Sequence, residues 1–397
     1  MNDLRLQLLA LLGPAQADRA LAAPTADDWP TLHAMADQHR LIPHLHARLQ
    51  RGELPHAPPP DLAQEWEQAH RHSAFAALQR RARLHGLHGL LAERGIQAVV
   101  LKGPWLAWYA YPAAAERPSR DIDLLVPQDR AVEAFELLAG AGFTQAEPSS
   151  RPHEQVARAA KHMPPQVAAD GCRVELHMHA WEPAGEMPWP MPPTDAGLLD
   201  RAARAPGAND PCLYPDPADM LAHLVIHAAY SHRFNVGPLL LPDIDYLLQH
   251  RQPDWPAFWQ RAEIGGYARG AAVVLALVDR WRVPGLIGQC RPPVPAPASM
   301  VDAAEALLVQ DISVRKGTGL LSELADARRE GIGSLVGRLA RRAAGGNRGQ
   351  HGEGAQAAPG YLGWAVARTG ETVRQLLSSD ARQDAARTSQ VGQWLNG

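Results

Sequence analysis

Cysteine, aromatic residues and long apolar runs are all scarce in this sequence. The three cysteines, Cys172, Cys212 and Cys290, are too widely spaced for a zinc-finger pattern, and they argue against a disulfide framework. We therefore expect a reducing compartment. No apolar stretch is long enough to cross a membrane, so the sequence predicts a cytoplasmic protein without a membrane partner.

The sequence also lacks a large excess of charge of either sign. The formal net charge is −3, and no block of like charge forms a nucleic-acid arm. Aromatic residues make up 6% of the chain, which argues against a base-stacking platform. We therefore expect no nucleic-acid partner. With 397 residues, 46% of them apolar, the chain is long enough for two or three packed units.

The hydrophobic period divides the chain into segments. Helical spacing dominates both ends, and a stretch of strand and helix signals lies between them. The predicted units are an N-terminal helical region (1–94), an α/β core (95–182), a proline-rich linker (183–216), a helical domain (217–342), and a flexible loop with a C-terminal helix (343–397).

The α/β core is predicted from a change of period. Ile96–Leu101, Asp121–Val126 and Arg173–His179 have the β-branched and alternating character of strands, and Phe143–Ala146 is predicted as a further short strand. Gln128–Ala139 has the spacing of a helix. This order predicts an α+β fold, with a small mixed sheet flanked by helical regions.

Three acidic residues of this core form a candidate metal site. Residues two apart in a strand point to the same face, so Asp121 and Asp123 should share one face while Ile122 turns to the core. Glu175, on another strand, is the expected third carboxylate. Converging carboxylates suit Mg²⁺ or Mn²⁺, and two such ions can stabilise the attacking and leaving oxygens of a phosphoryl transfer. We predict that Asp121, Asp123 and Glu175 are catalytic metal ligands.

The residues around Gly103 form a candidate phosphate site. Lys102 and Gly103 lie where a strand gives way to a helix, and glycine permits close approach of the backbone to an anion. Arg117 and Arg120 precede the carboxylates and can reach phosphate oxygens. We predict that all four bind a nucleoside triphosphate.

Polar residues elsewhere are harder to interpret. His177 shares the face of Glu175, and with His227 and Asp243 it is a possible acceptor site. A hydrogen-bonded pair between His227 and Asp243 is an equally good interpretation. A second Asp-Ile-Asp, at 243–245, has helical neighbours, so its aspartates should not share a face. His223 and His227 are interpreted as hydrogen-bonded helix histidines rather than zinc ligands.

Several of these segments together resemble a known family. Leu101-Lys102-Gly103, the segment 117–126 and Val174-Glu175-Leu176-His177 resemble the bacterial uncharacterised nucleotidyltransferase family of the DNA polymerase β-like superfamily. His162-Met163-Pro164-Pro165, residues 224–229 and Asp243 extend the resemblance over roughly residues 25–285. The resemblance implies a polymerase β-like sheet and a nucleotidyltransferase that uses a nucleoside triphosphate.

The hypotheses for function remain open at this stage. The first is a metal-dependent enzyme that moves a nucleoside monophosphate to a hydroxyl of a small molecule, peptide or protein. The second is a catalytically inactive nucleotide-binding or regulatory protein of the same fold. Pro104 supports this second hypothesis. The superfamily usually has Gly-Ser at this point, and proline lacks the backbone N–H group that serine there could donate to phosphate. The third, a nucleic-acid polymerase, is disfavoured by the balanced charge.

Overall fold

The first part of the chain is helical. The computed structural model describes residues 3–14, 21–149, 151–182, 197–205, 209–312 and 379–396. Gly95, with a φ of 66°, terminates the longest helix, and the next amide, Ile96 N–H, donates to the Leu91 carbonyl at 3.0 Å. The helices of this region are α1 (Asp3–Ala10), α2 (Trp29–Gln38), α3 (Ile42–Gln50) and α4 (Pro60–Ala92).

The described strands form a five-stranded mixed sheet with the order β1-β2-β5-β4-β3. Its central strands β2 and β5 are parallel, and β1 is antiparallel to β2. The α+β class and the joining of the three longer predicted strands in one sheet are confirmed, with shorter bounds. The strands are β1 (Val99–Val100), β2 (Asp121–Leu125), β3 (Thr144–Gln145), β4 (Gln166–Val167) and β5 (Arg173–His177).

Short helical segments connect these strands. After β1, α5 (Gly103–Trp105) runs into a π-helix (Leu106–Ala110) and then a 3₁₀ turn (Ala114–Glu116). After β2, a 3₁₀ turn (Gln128–Arg130) leads into α6 (Ala131–Gly140), whose apolar face packs on the sheet; α7 (His153–Ala159) follows. The predicted helix over 128–139 is thus confirmed, with a 3₁₀ first turn. The sequence prediction missed β4, which has two residues and follows Pro164-Pro165.

The remainder of the described chain is mostly helical. Asp216 accepts a hydrogen bond from the Ala218 N–H at 2.9 Å and so caps α9. No helix in the described ranges is both long and apolar enough to span a membrane. The helices are α8 (Leu198–Arg201), α9 (Pro217–Ile226) with a following π-helix (His227–Ser231), α10 (Leu240–His250), α11 (Trp255–Ile264), α12 (Ala268–Trp281), α13 (Leu286–Cys290), α14 (Ala298–Leu308) and a C-terminal helix (Ser379–Leu395).

The predicted units share one buried core. Leu45 before the sheet, Ile122 within it and Val274 after it belong to the same apolar cluster. Part of the predicted linker is also folded, because Leu213 pairs with Val99 at the edge of the sheet. The proline-rich residues 183–193 and the predicted loop 343–359 lie outside the described residues.

Candidate functional site

The register between β2 and β5 places acidic side chains next to each other. Asp123 is the direct partner of Glu175 across the two parallel strands, and Asp121 lies two residues earlier on the same face. Ile122, on the other face, is fully buried. The alternation that the sequence predicts in this strand is therefore confirmed, and one face of the sheet carries all three carboxylates.

Two of the three predicted metal ligands form a compact group with an imidazole. Asp123, Glu175 and His177 each offer a ligand atom, and these atoms lie within 4.8 Å of one another. The His177 Nε2 atom is 3.5 Å from Asp123 Oδ1 and 3.7 Å from Glu175 Oε2. Carboxylate oxygens are the ligands that Mg²⁺ prefers. His177, which the sequence assigns to the acceptor site, thus sits among the carboxylates, while Asp121 is outside this group.

The three carboxyl groups differ in their affinity for protons. Burial and the neighbouring charge of Asp123 raise the pKa of Asp121 to about 6. Burial also opposes ionisation of Asp123, but Lys102 and His177 outweigh it and hold its pKa well below the usual range. Burial opposes ionisation of Glu175 too, yet His177 lowers its pKa to about 2. Asp123 and Glu175 are therefore ionised at any physiological pH, whereas Asp121 titrates near pH 6.

Lys102 lies on the carboxylate cluster. Its Nζ atom is 3.2 Å from Asp123 Oδ2, and its backbone φ of 45° is unusual for a residue other than glycine. Burial lowers the pKa of the Lys102 ammonium, but the charges of Asp123 and Asp121 outweigh this effect and the pKa is raised. The predicted phosphate ligand is thus paired with a carboxylate here.

A second lysine, which the sequence analysis missed, lies close by. Lys161 Nζ pairs with Glu182 Oε1 at 3.2 Å, and the Ser231 hydroxyl donates to the other oxygen of Glu182. The charge of Lys102 acts on Lys161, so the two cations are neighbours. The chain has only three lysines, and two of them lie beside this acidic cluster. This scarcity could have marked Lys161 as a candidate site residue from the sequence.

Gly103 packs closely against Arg117. A Cβ atom added at Gly103 would lie 3.0 Å from both Arg117 Nη1 and Ser119 Oγ. The guanidinium of Arg117 makes a two-point ion pair with Asp243, at 2.8 Å for each contact, and the Tyr111 hydroxyl donates to the same carboxylate. Asp243 therefore holds Arg117 in place, with both of its oxygens engaged. His227, its alternative partner in the sequence interpretation, does not pair with it.

Arginines near Asp121 produce local positive charge. Burial and the guanidinium groups of Arg120 and Arg117 lower the pKa of Arg40 to about 10, while Asp121 acts in the opposite direction. Among the described residues, neither Arg40 nor Arg120 has an ion-pair partner within 4.0 Å. Arg40 follows α2, some eighty positions before the strand, and no local pattern in the sequence marks it. Arginines this close favour a polyanion between them.

The histidines on α9 and its π-helix differ from the sequence interpretation. Both ring nitrogens of His223, and Nδ1 of His227, are buried without a hydrogen-bond partner among the described residues. The hydrogen bonds that the sequence interpretation expected are therefore missing at both nitrogens of His223 and at Nδ1 of His227. Burial and the charge of Lys102 hold both pKa values well below the usual range, so both rings are neutral. Unpaired polar atoms of this kind mark a place for water or ligand.

One comparison with known proteins gives a match. A family described as uncharacterised nucleotidyltransferase matches residues 25–282, which is well over half of the chain and includes the whole carboxylate site. No curated protein and no solved structure matches.

Proposed function

The chain belongs to the uncharacterised nucleotidyltransferase family, and we propose that it moves a nucleoside monophosphate from a nucleoside triphosphate to a hydroxyl group. The acceptor would be a small molecule, a peptide or a protein, and the core a polymerase β-like one. Asp121, Asp123 and Glu175 would hold Mg²⁺ or Mn²⁺. Metal bound there supplies positive charge opposite the attacking and leaving oxygens.

The observation that carries the proposal is the pairing of Asp123 with Glu175 across two parallel strands. It places two carboxylates on adjacent rigid backbones, with ligand atoms of the group within 4.8 Å. Two metal ions about 4 Å apart need ligands at this spacing. Both carboxylates are ionised, so no proton has to leave before metal binds.

The triphosphate would lie along the basic side of the cleft. Arg40, Arg117 and Arg120 surround Asp121 closely enough to influence one another's charge, and Arg117 is fixed by Asp243. Metal bound to Asp123 would displace the Lys102 ammonium from that carboxylate. The ammonium would then be free to contact a phosphate oxygen. The preformed cations would orient the phosphates without further rearrangement.

The acceptor hydroxyl would approach from the histidine side. His177 lies among the carboxylates, and Nδ1 of His227 is buried with no hydrogen-bond partner among the described residues. The neutral imidazole of His227 can donate one hydrogen bond and accept another, which suits positioning of a hydroxyl group. We do not include Asp243 in the proposed acceptor site, because its oxygens already accept hydrogen bonds from Arg117 and Tyr111.

The test is transfer of an α-labelled triphosphate onto proteins and small molecules of a cell extract, with release of pyrophosphate followed in parallel. Asp123→Asn keeps the shape of the side chain and removes its charge, so labelling should fall at least about a hundredfold. Asp129→Asn is the matched control, because Asp129 is exposed just beyond the same strand. An Asp123→Asn protein that labels at the wild-type rate would exclude this site as the catalyst.

One observation favours the alternative of a nucleotide-binding regulatory protein: Lys102 neutralises Asp123 at 3.2 Å. Both hypotheses predict that MgATP or MgGTP raises the melting temperature, and that Lys102→Ala weakens this effect. They differ in pyrophosphate release. Nucleotide binding without labelling or pyrophosphate release, in a complete extract, would support the regulatory protein. The absence of any thermal shift across triphosphates at millimolar concentration would contradict both.

A further inference from the structure

A second group of possible metal ligands lies away from the carboxylate site and shares no residue with it. His85 on α4 faces Asp210 and Cys212, which belong to the extended segment beside β1. One ligand atom of each residue, His85 Nε2, a carboxylate oxygen of Asp210 and Cys212 Sγ, lies within 4.8 Å of the other two. We call these three residues the His85 cluster, and we propose that it binds a zinc ion.

The donor set fits zinc in chemistry and in charge. Imidazole, carboxylate and thiolate are the side chains that bind Zn²⁺, and three of them leave one position of a tetrahedron for water. A thiolate and a carboxylate together neutralise a divalent ion, so a zinc site here would carry no net charge into a buried region. Cys212 and Asp210 are both buried, at 0% and 4% exposure.

The distance between His85 and Asp210 also fits. Ligands about 2.0–2.3 Å from a tetrahedral zinc lie roughly 3.3–3.8 Å from each other. His85 Nε2 is 3.3 Å from Asp210 Oδ1. Despite this short distance, the Nε2 atom is buried without a hydrogen-bond partner in the described part of the protein. A metal ion would supply the partner that this nitrogen lacks.

The surroundings hold one ligand in a fixed orientation. Tyr109 and Tyr214 both donate a hydroxyl hydrogen bond to Asp210 Oδ2, and the Cys212 N–H donates to Oδ1 at 2.9 Å. Hydrogen bonds of this kind from outside the ligand set orient the ligands of metal sites. Because residues two apart in an extended chain share a face, Asp210 and Cys212 point to the same side.

Zinc at this position would join α4 to the edge of the sheet. His85 belongs to α4, whereas the segment with Cys212 pairs with β1 through Leu213. The ion would therefore connect parts of the chain more than 120 positions apart. We infer a structural role, in which zinc raises the melting temperature according to its concentration over its dissociation constant. Binding also releases the thiol proton of Cys212 to solvent.

The test uses the full chain with Asp123→Asn, so that the carboxylate site contributes less to the metal count. After dialysis against excess zinc and removal of free metal, elemental analysis should find about one zinc per chain. Cys212→Ser and, separately, His85→Gln should weaken binding at least about a hundredfold, and Tyr214→Phe about tenfold. Cys172→Ser and His72→Gln are the matched controls, the second of them exposed on the same helix.

Cobalt(II) gives a second readout that reports on the thiolate. A sulfur-to-cobalt charge-transfer absorption should appear, persist in Cys172→Ser and disappear in Cys212→Ser. His85→Gln keeps a partly exposed helix position and so tests the proposal even if changes at Cys212 impair folding. A protein that binds no zinc beyond the Cys212→Ser level, and whose cobalt spectrum lacks this absorption, would overturn the proposal. The Cys212 thiol would then serve only the hydrogen-bond network of Asp210.

Discussion

The tripeptide Asp-Ile-Asp occurs twice in this chain, at 121–123 in β2 and at 243–245 in α10. In the strand, both aspartates lie on one face, next to Glu175. In the helix, each residue turns the chain by about 100°, so residues two apart lie on nearly opposite sides of the helix. Asp243 therefore meets Arg117 and Tyr111, while Asp245 meets Arg282. The same three letters thus yield a carboxylate cluster in one place and separate ion pairs in the other.

The two regions also differ in how charge is compensated. Arg117 contacts both oxygens of Asp243, which is the strong two-point geometry for this pair. Two nitrogens of Arg282 share a single oxygen of Asp245, Oδ2. In the strand, Asp123 lies beside Lys102 and His177, and Glu175 pairs with Arg173 at 3.1 Å. Burial and the charge of Asp123 raise the pKa of Asp121. We therefore expect the carboxylates of the helix to contribute more to stability than those of the strand. The comparison makes predictions that substitutions can test.

The largest effect on stability should come from the helix. Asp245 and Arg282 are 5% and 8% exposed, with contacts of 2.6 and 2.8 Å between them. Asp245→Asn would leave the guanidinium buried without its counter-charge, and should lower the free energy of unfolding by about 3–5 kcal/mol, measured by urea denaturation. Asp302→Asn is the control, because Asp302 is 57% exposed in its pair with Arg280 and should cost less than about 1 kcal/mol. Equal losses in the two variants would contradict the comparison.

A smaller effect, of opposite sign, is expected in the strand. The pKa of Asp121 is raised from 3.8 to about 6, so its ionisation costs stability: the cost is full above about pH 6 and absent below about pH 4. Asp121→Asn should therefore stabilise the metal-free protein on the order of 1–3 kcal/mol at pH 8.

The pH series makes this prediction specific. The gain from Asp121→Asn over wild type should shrink as pH falls from 8 to 5, in chemical denaturation with a chelator present. Asp129→Asn, at an exposed position, should show no such trend. A gain that is constant with pH would mean that relief of charge is not its cause.

The smallest effect should appear where the two regions meet. Gly103→Ala would place a methyl group 3.0 Å from Arg117 Nη1 and Ser119 Oγ, and these side chains would have to shift by a few tenths of an ångström. We expect stability to change by less than about 1 kcal/mol, because lower chain entropy in the unfolded state offsets the crowding. Nucleotide affinity, measured by calorimetry, should fall several-fold. Gly86→Ala is the control, because Gly86 has open space around it, and it should leave nucleotide affinity unchanged. If Gly103→Ala also left the affinity unchanged, Gly103 and Arg117 would not be part of the phosphate site.

Much of the fold and the centre of the candidate site could be predicted from local pattern. The alternation around Ile122 predicted which face Asp121 and Asp123 occupy, and Glu175 was expected on another strand of the same sheet. The helical neighbours of Asp243 correctly separated the second Asp-Ile-Asp from the first. Period and turn residues carry such information because they depend on backbone geometry within a few positions.

The sequence by itself thus determined the three longer strands, the helix over 128–139 and the face on which the acidic residues lie. Only the tertiary structure decided the partners of the charged side chains: Arg117 pairs with Asp243 across 126 positions, and Arg40 reaches Asp121 from the N-terminal helices. No local period encodes such contacts, because they depend on how whole helices pack around the sheet. Packing likewise left His223 without a hydrogen-bond partner in the part of the chain that the structure describes. In a low-dielectric interior, the distance and burial of each partner decide whether a carboxylate is held in an ion pair or remains open to metal.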